Sequence, residues 1–132
     1  EAIAGTLRNA STDSVIAGET PAVFQYYLGR YHRPDIRVVN LSDKRFAIPE
    51  TAPVFVFLQP GRIYYENIPF HSRLWNSGQG LLDLKVREHP VVRVFRMDGS
   101  EFRQLSAMRQ VPPPRLQAPQ AMYFLMADKD GL

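Results

Sequence analysis

The chain contains no cysteine and only three histidines in 132 residues. The lack of cysteine excludes a disulfide framework, a thiol nucleophile and a cysteine-ligated zinc site. The histidines, His32, His71 and His89, are far apart in sequence, and none has a partner at the spacing of metal ligands on a helix. We therefore expect neither a metal site nor a bound cofactor.

Long apolar runs and phosphate-binding loops are also missing. No stretch approaches the roughly 20 apolar residues that a membrane-spanning helix needs, and there is no Walker loop, dinucleotide fingerprint or nucleophile elbow. The net charge is only +3, and the arginines are spread from Arg8 to Arg115 with acids among them. Because a nucleic-acid binder normally carries a basic stripe with interleaved aromatics, we expect no nucleic-acid partner.

Residues 13–41 are typical of one strand, helix and second strand. A β-branched pair at 15–16 precedes a turn, and Thr20 and Pro21 then supply an N-cap hydroxyl and a first helical residue that needs no donor. The apolar residues at 36–41 predict the second strand. A strand, helix and strand connected this closely normally form a right-handed parallel crossover.

The helix of this unit is expected to be wide-faced and mostly buried. Apolar and aromatic residues recur along it three and four apart: Val23, Phe24, Tyr26, Tyr27, Leu28 and Tyr31. Gly29, and Pro34 beyond it, are expected to end the helix. Tyr26 and Tyr27 could stack on sugar rings, but we expect them to belong to the core.

The other segments complete an α/β prediction for a single domain over residues 1–132. The continuous apolar run at 54–58 predicts a central strand covered on both faces. The remaining expected elements are a lead-in helix at 1–10, one or two helical turns at 70–75, an antiparallel hairpin of 82–86 with 91–97, a short helix at 100–110, a Pro-rich extended segment at 111–120 and an edge strand at 121–126. The expected architecture is a two-layer or three-layer sheet with a parallel β-α-β core that the hairpin extends.

The candidate site lies where the parallel strands end. Ligands of open α/β sheets gather at the carboxyl ends of the strands, and here the loops at 18–20, 42–45 and 59–65 should meet along one edge. The side chains proposed for it are Glu19, Lys44, Arg45, Arg62, Tyr64 and Tyr65. Arginine and aromatic side chains of this kind suit a polar sugar or an anionic headgroup. No catalytic residue is assigned.

Three alternatives remain open at this edge. Glu19 could simply be a favourable negative charge at a helix N-terminus. The loops could form an ordinary solvated edge, since nothing in their spacing demands a ligand. Tyr64, Tyr65 and Trp75 lie in a loosely patterned region and could either pack locally or stack on a ligand.

Four segments carry a family resemblance. They are Asp-Ser-Val-Ile-Ala at 13–17, Pro-Ala-Val-Phe-Gln-Tyr-Tyr-Leu-Gly-Arg at 21–30, the strand at 54–58 and the late strand ending Val-Phe-Arg-Met at 94–97. Together they resemble the soluble C-terminal domain of bacterial membrane glycosyltransferases of the dolichyl-phosphate-mannose protein mannosyltransferase type. The resemblance covers about residues 13–97, and the Pro-rich extension after Ser106 departs from it.

The resemblance implies an accessory domain on the periplasmic or extracellular face of a bacterial inner membrane. Its partners would be its own transmembrane region and, at its surface, a glycan or a lipid-linked sugar headgroup. The catalytic acids of that family lie in its membrane part, so the resemblance carries no catalytic residue over to this chain and implies a fragment that is not catalytic alone. The chain starts at Glu1 rather than Met, as a processed or excised piece would. The alternative function is a stand-alone α/β ligand-binding or protein-interaction module.

Overall fold

The computed structural model describes residues 2–42, 47–61, 63–77 and 80–107. Within these ranges the chain forms four α-helices, one 3₁₀ turn and five β-strands. The helices are α1 (Ala2–Leu7), α2 (Pro21–Arg30), α3 (Ile68–Trp75) and α4 (Gly99–Ser106), and the 3₁₀ turn is Tyr65–Asn67. The strands are β1 (Val15–Gly18), β2 (Arg37–Asn40), β3 (Pro53–Leu58), β4 (Leu82–Val86) and β5 (His89–Asp98).

The five strands form one mixed sheet in the order β2-β1-β3-β5-β4. β1 lies parallel to both β2 and β3, so that Ile16 stands between Val38 and Phe55. β5 pairs antiparallel with β3, and β4 pairs antiparallel with β5. This topology confirms the α/β prediction of a parallel core extended by a hairpin.

Helices cover both faces of the sheet, which makes three layers. On one face, Phe24 and Leu28 of α2 pack with Ile16 and Phe55, and α1 adds partly buried residues to the same cluster. On the other face, α3 and α4 contribute a second set of buried side chains, namely Phe70, Leu74 and Phe102. Because both faces are covered, β3 is buried along nearly its whole length, as the apolar run at 54–58 predicted.

Helix α2 begins at Pro21 as expected, but two predictions about it are wrong. The Thr20 side chain makes no capping hydrogen bond. Only Phe24 and Leu28 are buried, whereas Tyr26 and Tyr27 are exposed. The physical reason is that α2 is an outer layer, so only the side that rests on the sheet is covered. Since Tyr26 and Tyr27 point away from the sheet, they do not belong to the core.

The hairpin turn is tighter than expected. Arg87 and Glu88 form it, with φ angles of 50° and 69°, and two left-handed residues are typical of the short turns that match the twist of paired strands. His89 and Pro90 therefore belong to β5 rather than to the turn. At the other end of β5, Asp98 Oδ1 accepts a hydrogen bond of 2.7 Å from the Glu101 backbone N–H and so caps α4.

The end of the chain is only partly covered by the described ranges. The expected lead-in helix is present as α1, and the helix expected at 100–110 is present as α4. Residues 108–110, the Pro-rich segment at 111–120 and the strand expected at 121–126 lie outside the described residues.

Candidate functional site

Glu19 stands where β1 ends and α2 is about to begin. It follows Gly18, the last residue of β1, and precedes Thr20, the N-cap position of α2. The Leu41 backbone N–H donates to the Gly18 carbonyl oxygen across 2.9 Å. This bond holds the loop after β2 beside the loop after β1, so residues that follow the two strands can reach each other.

Ser42 and Asn67 hold the Glu19 carboxyl group from two sides. Ser42 Oγ donates to Glu19 Oε2 across 3.3 Å, and Asn67 Nδ2 donates to Glu19 Oε1 across 2.8 Å. Asn67 Nδ2 also lies 3.2 Å from Ser42 Oγ, to which it donates. The Tyr64 backbone adds a further hydrogen bond to the carboxyl group. We call Glu19, Ser42 and Asn67 the Glu19 network.

The Glu19 network joins the segments that follow all three parallel strands. Glu19 follows β1, Ser42 follows β2, and Asn67 is the last residue of the 3₁₀ turn that follows β3. The expectation that the loops at 18–20, 42–45 and 59–65 meet at one edge is confirmed for Glu19, Ser42 and the Tyr64 backbone, whereas Asn67 lies two residues beyond the third predicted loop. Their side chains lie at the carboxyl ends of the strands, the edge at which open α/β sheets bind ligands.

The Glu19 network also lies at a switch point of the topology. β1 and β3 are neighbours in the sheet, but α2, which follows β1, packs on one face, and α3, which follows β3, packs on the other. Where two adjacent strands lead to opposite faces, their loops separate and leave a crevice. Glu19 lies at this switch point on the β1 side, and Tyr64 and Asn67 lie on the β3 side, with Asn67 bonded across to Glu19.

The environment of Glu19 raises the pKa of its carboxyl group from about 4.5 to about 7. Burial is the largest cause, since it disfavours the ionised form. The hydrogen bonds from Asn67 and Ser42 lower the pKa, and the nearby charge of Glu66 raises it. A raised pKa is the opposite of what stabilisation by a helix N-terminus would produce. Glu19 can therefore accept or release a proton close to neutral pH.

The sequence-predicted site residues divide into three groups. Glu19 is in the network, and Tyr64 is half-buried beside it. Tyr65 begins the 3₁₀ turn, but its side chain lies outside what the structure describes. The positively charged members of the predicted set, Lys44, Arg45 and Arg62, lie outside the described residues.

Asn67 was not identified from the sequence, although it is the most buried member of the network, with 3% of its surface exposed. Its only sequence signal is its position just before Ile68-Pro69, where a helix begins. An asparagine there is ordinarily explained as a helix cap. In the structure its side chain makes no capping hydrogen bond and turns to Glu19 instead.

Trp75 packs locally at the end of α3. Its ring stacks on His71 with 5.3 Å between ring centroids, and the Arg93 guanidinium lies 5.1 Å above it. Arg93 also donates to the Trp75 carbonyl oxygen across 2.7 Å and to Asp83 Oδ1 across 3.0 Å. Arg93 thus ties the β4–β5 hairpin to α3, and these contacts give Trp75 a structural role.

Two cavities lie elsewhere in the molecule. One, of about 460 Å³, separates α3 from α4 above β5, with Phe95 and Met97 on its floor. The other, of about 440 Å³, lies at the amino ends of the parallel strands and is rich in hydroxyl groups from residues 11–14. Neither is lined by Glu19. We base the candidate site on the Glu19 network because it has convergent polar groups and a perturbed acid.

Among the described residues, no group of three or more histidine, cysteine or acidic side chains is placed to hold a metal ion. Within the same ranges, no helix is both long and apolar enough to cross a bilayer. Comparison of the chain with family models, curated proteins and solved structures finds no match.

Proposed function

We propose that this chain is an accessory domain of a membrane-bound glycosyltransferase that uses lipid-linked sugars, and that it faces the periplasm or the cell exterior. In this proposal the edge of the sheet at the carboxyl ends of the parallel strands, around Glu19, contacts the sugar of the acceptor or of the lipid-linked donor. We call it the carboxyl edge of the sheet. The partners are the transmembrane region of the same enzyme and a glycan or sugar headgroup.

The observation that carries the proposal is the convergence of Glu19, Ser42 and Asn67 at the switch point. Ser42 and Asn67 hold the Glu19 carboxyl group in one orientation. Binding of a ligand hydroxyl to it therefore loses little of the conformational entropy that ordering a free side chain would lose. Each carboxylate oxygen has two lone pairs, so the contacts from Ser42 and Asn67 leave acceptor capacity. Tyr64 adds a half-buried aromatic residue of the kind that packs against sugar rings.

A binding role fits this edge better than catalysis by the chain alone. Glycoside hydrolysis normally requires two carboxyl groups with separate roles, and the resemblance places the acids for sugar transfer outside this chain. Glu66 is close enough to influence the pKa of Glu19, but the Glu19 carboxyl is engaged by Ser42 and Asn67 rather than by a second acid. We therefore expect the purified chain to show neither sugar transfer nor glycoside hydrolysis.

The direct test is an NMR titration of the ¹⁵N-labelled chain with methyl glycosides and with a short-chain prenyl phosphate. We expect shifts of the backbone amides of Glu19, Ser42 and Tyr64. Above pH 7, where Glu19 is mostly ionised, Glu19→Gln should weaken binding about tenfold, because a hydrogen bond to a charged group is lost. Glu101→Gln is the matched control, since Glu101 is exposed on α4, and it should leave the affinity unchanged.

Two outcomes would remove this site. One is a set of shifts confined to other surfaces, and the other is no shift at about 1 mM ligand, the weak end of the affinity scale. The membrane-enzyme part of the proposal has its own test in the reading frame upstream of Glu1. A series of apolar spans encoded there would support it, whereas a start codon or a plain signal peptide would leave a stand-alone ligand-binding or protein-interaction module.

A further inference from the structure

The outward side of α2 carries a second apolar surface, opposite the side that packs on the sheet. Its members recur three and four residues apart, which places them along one side of a helix. We call them the outer α2 stripe: Val23, Tyr26, Tyr27 and Arg30 of the helix, with Tyr31, the C-cap residue directly after it. Val23 is 47% exposed, Tyr26 60%, Tyr27 38% and Tyr31 45%. A helix that is apolar on two sides is normally covered on both.

The tyrosines of the stripe form a continuous surface. The rings of Tyr26 and Tyr27 meet edge to face with 5.2 Å between centroids. The rings of Tyr27 and Tyr31 lie 6.4 Å apart and are inclined by only 22°. Because the rings contact one another, the tyrosine side chains have already lost much of their conformational entropy in the folded chain. Binding a partner through them therefore has a smaller entropic cost.

The charged side chains of α2 and of the segment up to Pro34 are all basic. No acidic residue occurs between Glu19 and Asp35, and Arg30 is an exposed member of the stripe. Asp35 pairs with the Arg33 guanidinium at 3.0 Å, so these two charges offset each other and Arg30 supplies the charge of the stripe. Helix α1, which packs on the same face of the sheet, contains no charged residue and is followed by Arg8. The outer side of this layer therefore favours an anionic partner.

We propose that the outer α2 stripe rests on the surface of a bilayer that contains anionic lipid. The stripe is the outward side of a single helix and lines neither cavity, so its shape suits a flat partner better than a small molecule. Tyrosine places its ring among the upper acyl chains and its hydroxyl among the headgroups, and arginine extends its guanidinium to lipid phosphates. A second copy docked by this stripe would bring the Arg30 side chains of the two copies together, and the stripe contains no acid to pair with them.

The proposed lipid contact is separate from the Glu19 network and does not depend on a ligand there. Glu19 lies two residues before Pro21, the first residue of α2. A bilayer against α2 would therefore bring the carboxyl edge of the sheet near the lipid headgroups. This is the depth at which a lipid-linked sugar would present itself.

The test is co-sedimentation of the 132-residue chain with vesicles of phosphatidylcholine alone and of phosphatidylcholine mixed with phosphatidylglycerol. We expect binding to the mixed vesicles that weakens as salt is added. Arg30→Gln should weaken it about fivefold, since a basic side chain near an anionic surface contributes about 1 kcal/mol. The double variant Tyr26→Ser with Tyr27→Ser should lose about tenfold or more.

The matched control removes exposed apolar surface elsewhere. Val86→Ser with Val91→Ser changes two exposed side chains of the β4–β5 hairpin and should leave vesicle binding unchanged. Equal urea midpoints for all variants would establish that each is folded. No binding to the mixed vesicles, or binding that ignores the stripe variants, would overturn the proposal. A dimer that the tyrosine variants convert to monomer would identify a second copy as the occupant instead.

Discussion

The side-chain amide of Asn67 lies 2.8 Å from the Glu19 carboxyl group, although 48 residues separate them in the sequence. This contact joins the turn after β3 to the loop after β1, at the switch point from which α2 and α3 lead to opposite faces of the sheet. A partly buried acid would be costly at this position without donors. Asn67 and Ser42 supply them, so the network both holds the edge together and sets the protonation behaviour of Glu19.

Stability should fall as pH rises through the range in which Glu19 titrates. The folded chain keeps the Glu19 proton between about pH 4.5 and pH 7, whereas the unfolded chain releases it near pH 4.5. The free energy of unfolding therefore decreases across this window, by at most on the order of 3 kcal/mol, and this contribution levels off above pH 7. Urea unfolding at several pH values measures it.

The variant Glu19→Gln should remove that contribution, because glutamine stays neutral and can still accept from Asn67 and donate to Ser42. Above pH 7 it should be more stable than the natural chain. Glu101→Gln, on exposed α4, should keep the natural dependence. If the free energy of unfolding changes with pH in the same way for the natural chain and for Glu19→Gln, Glu19 does not titrate in this window.

Asn67→Ala should destabilise the chain by about 1–3 kcal/mol, because it leaves a partly buried carboxyl group without its shortest donor. It should also raise the pKa of Glu19 further, since the lost hydrogen bond favours the ionised form. Carboxyl ¹³C NMR reports the pKa directly. Asn9→Ala is the comparison, because Asn9 makes one exposed hydrogen bond to Gly5. Equal losses of stability in the two variants would contradict the role given to Asn67.

Phe55→Ala should cost about 3–5 kcal/mol in the free energy of unfolding, the usual range for removing a buried aromatic ring. Phe55 is completely buried in the central strand, between β1 and β5. Phe57→Ala, four per cent exposed on the same face, should cost a similar amount. Val86→Ala, on the exposed hairpin, should change little. A melting temperature of Phe55→Ala equal to that of the natural chain would mean that β3 is not central to stability.

Gly99→Ala should destabilise the chain strongly. A Cβ atom at this position would collide with the carbonyl oxygen of Pro49, and a backbone atom has little room to move aside. Gly29→Ala makes the same substitution inside α2, where a Cβ meets nothing within 4 Å, and should stabilise by about 0.5–1 kcal/mol. Urea unfolding should therefore show a decrease in the free energy of unfolding for Gly99→Ala and an increase for Gly29→Ala. A neutral Gly99→Ala would indicate that the loop at Pro49 yields easily.

The fold was largely predictable because its main signals are local. The uninterrupted apolar residues of β3 indicate a strand covered on both faces, and Pro21 marks the start of α2. The side of α2 that faces the sheet was not predictable in this way. Phe24 and Leu28 satisfy a helical period, but so do Val23, Tyr26 and Tyr27. Periodicity alone does not distinguish the two sides when both are apolar, and the exposed tyrosines became evident only from the packing.

The position of the Glu19 network in the fold was predictable from the sequence, but the contacts within it were not. The rule that ligands gather at the carboxyl ends of parallel strands pointed to Glu19 and to the loops containing Ser42 and Tyr64. It gave no reason to choose Asn67, because the pairing of Asn67 with Glu19 depends on how the 3₁₀ turn after β3 folds back over β1. Contacts between residues this distant in sequence arise from tertiary structure.

Trp75 is the only tryptophan in the chain, and Arg93 lies over its ring while bonding to Asp83 on the neighbouring strand. Its fluorescence should therefore respond when the β4–β5 hairpin separates from α3, whether or not the rest of the sheet has opened. The emission of one native side chain can thus be followed against far-ultraviolet circular dichroism. If the fluorescence and circular dichroism transitions coincide, the hairpin and the sheet unfold as one cooperative unit. If the fluorescence changes at lower urea than the circular dichroism, the hairpin detaches first.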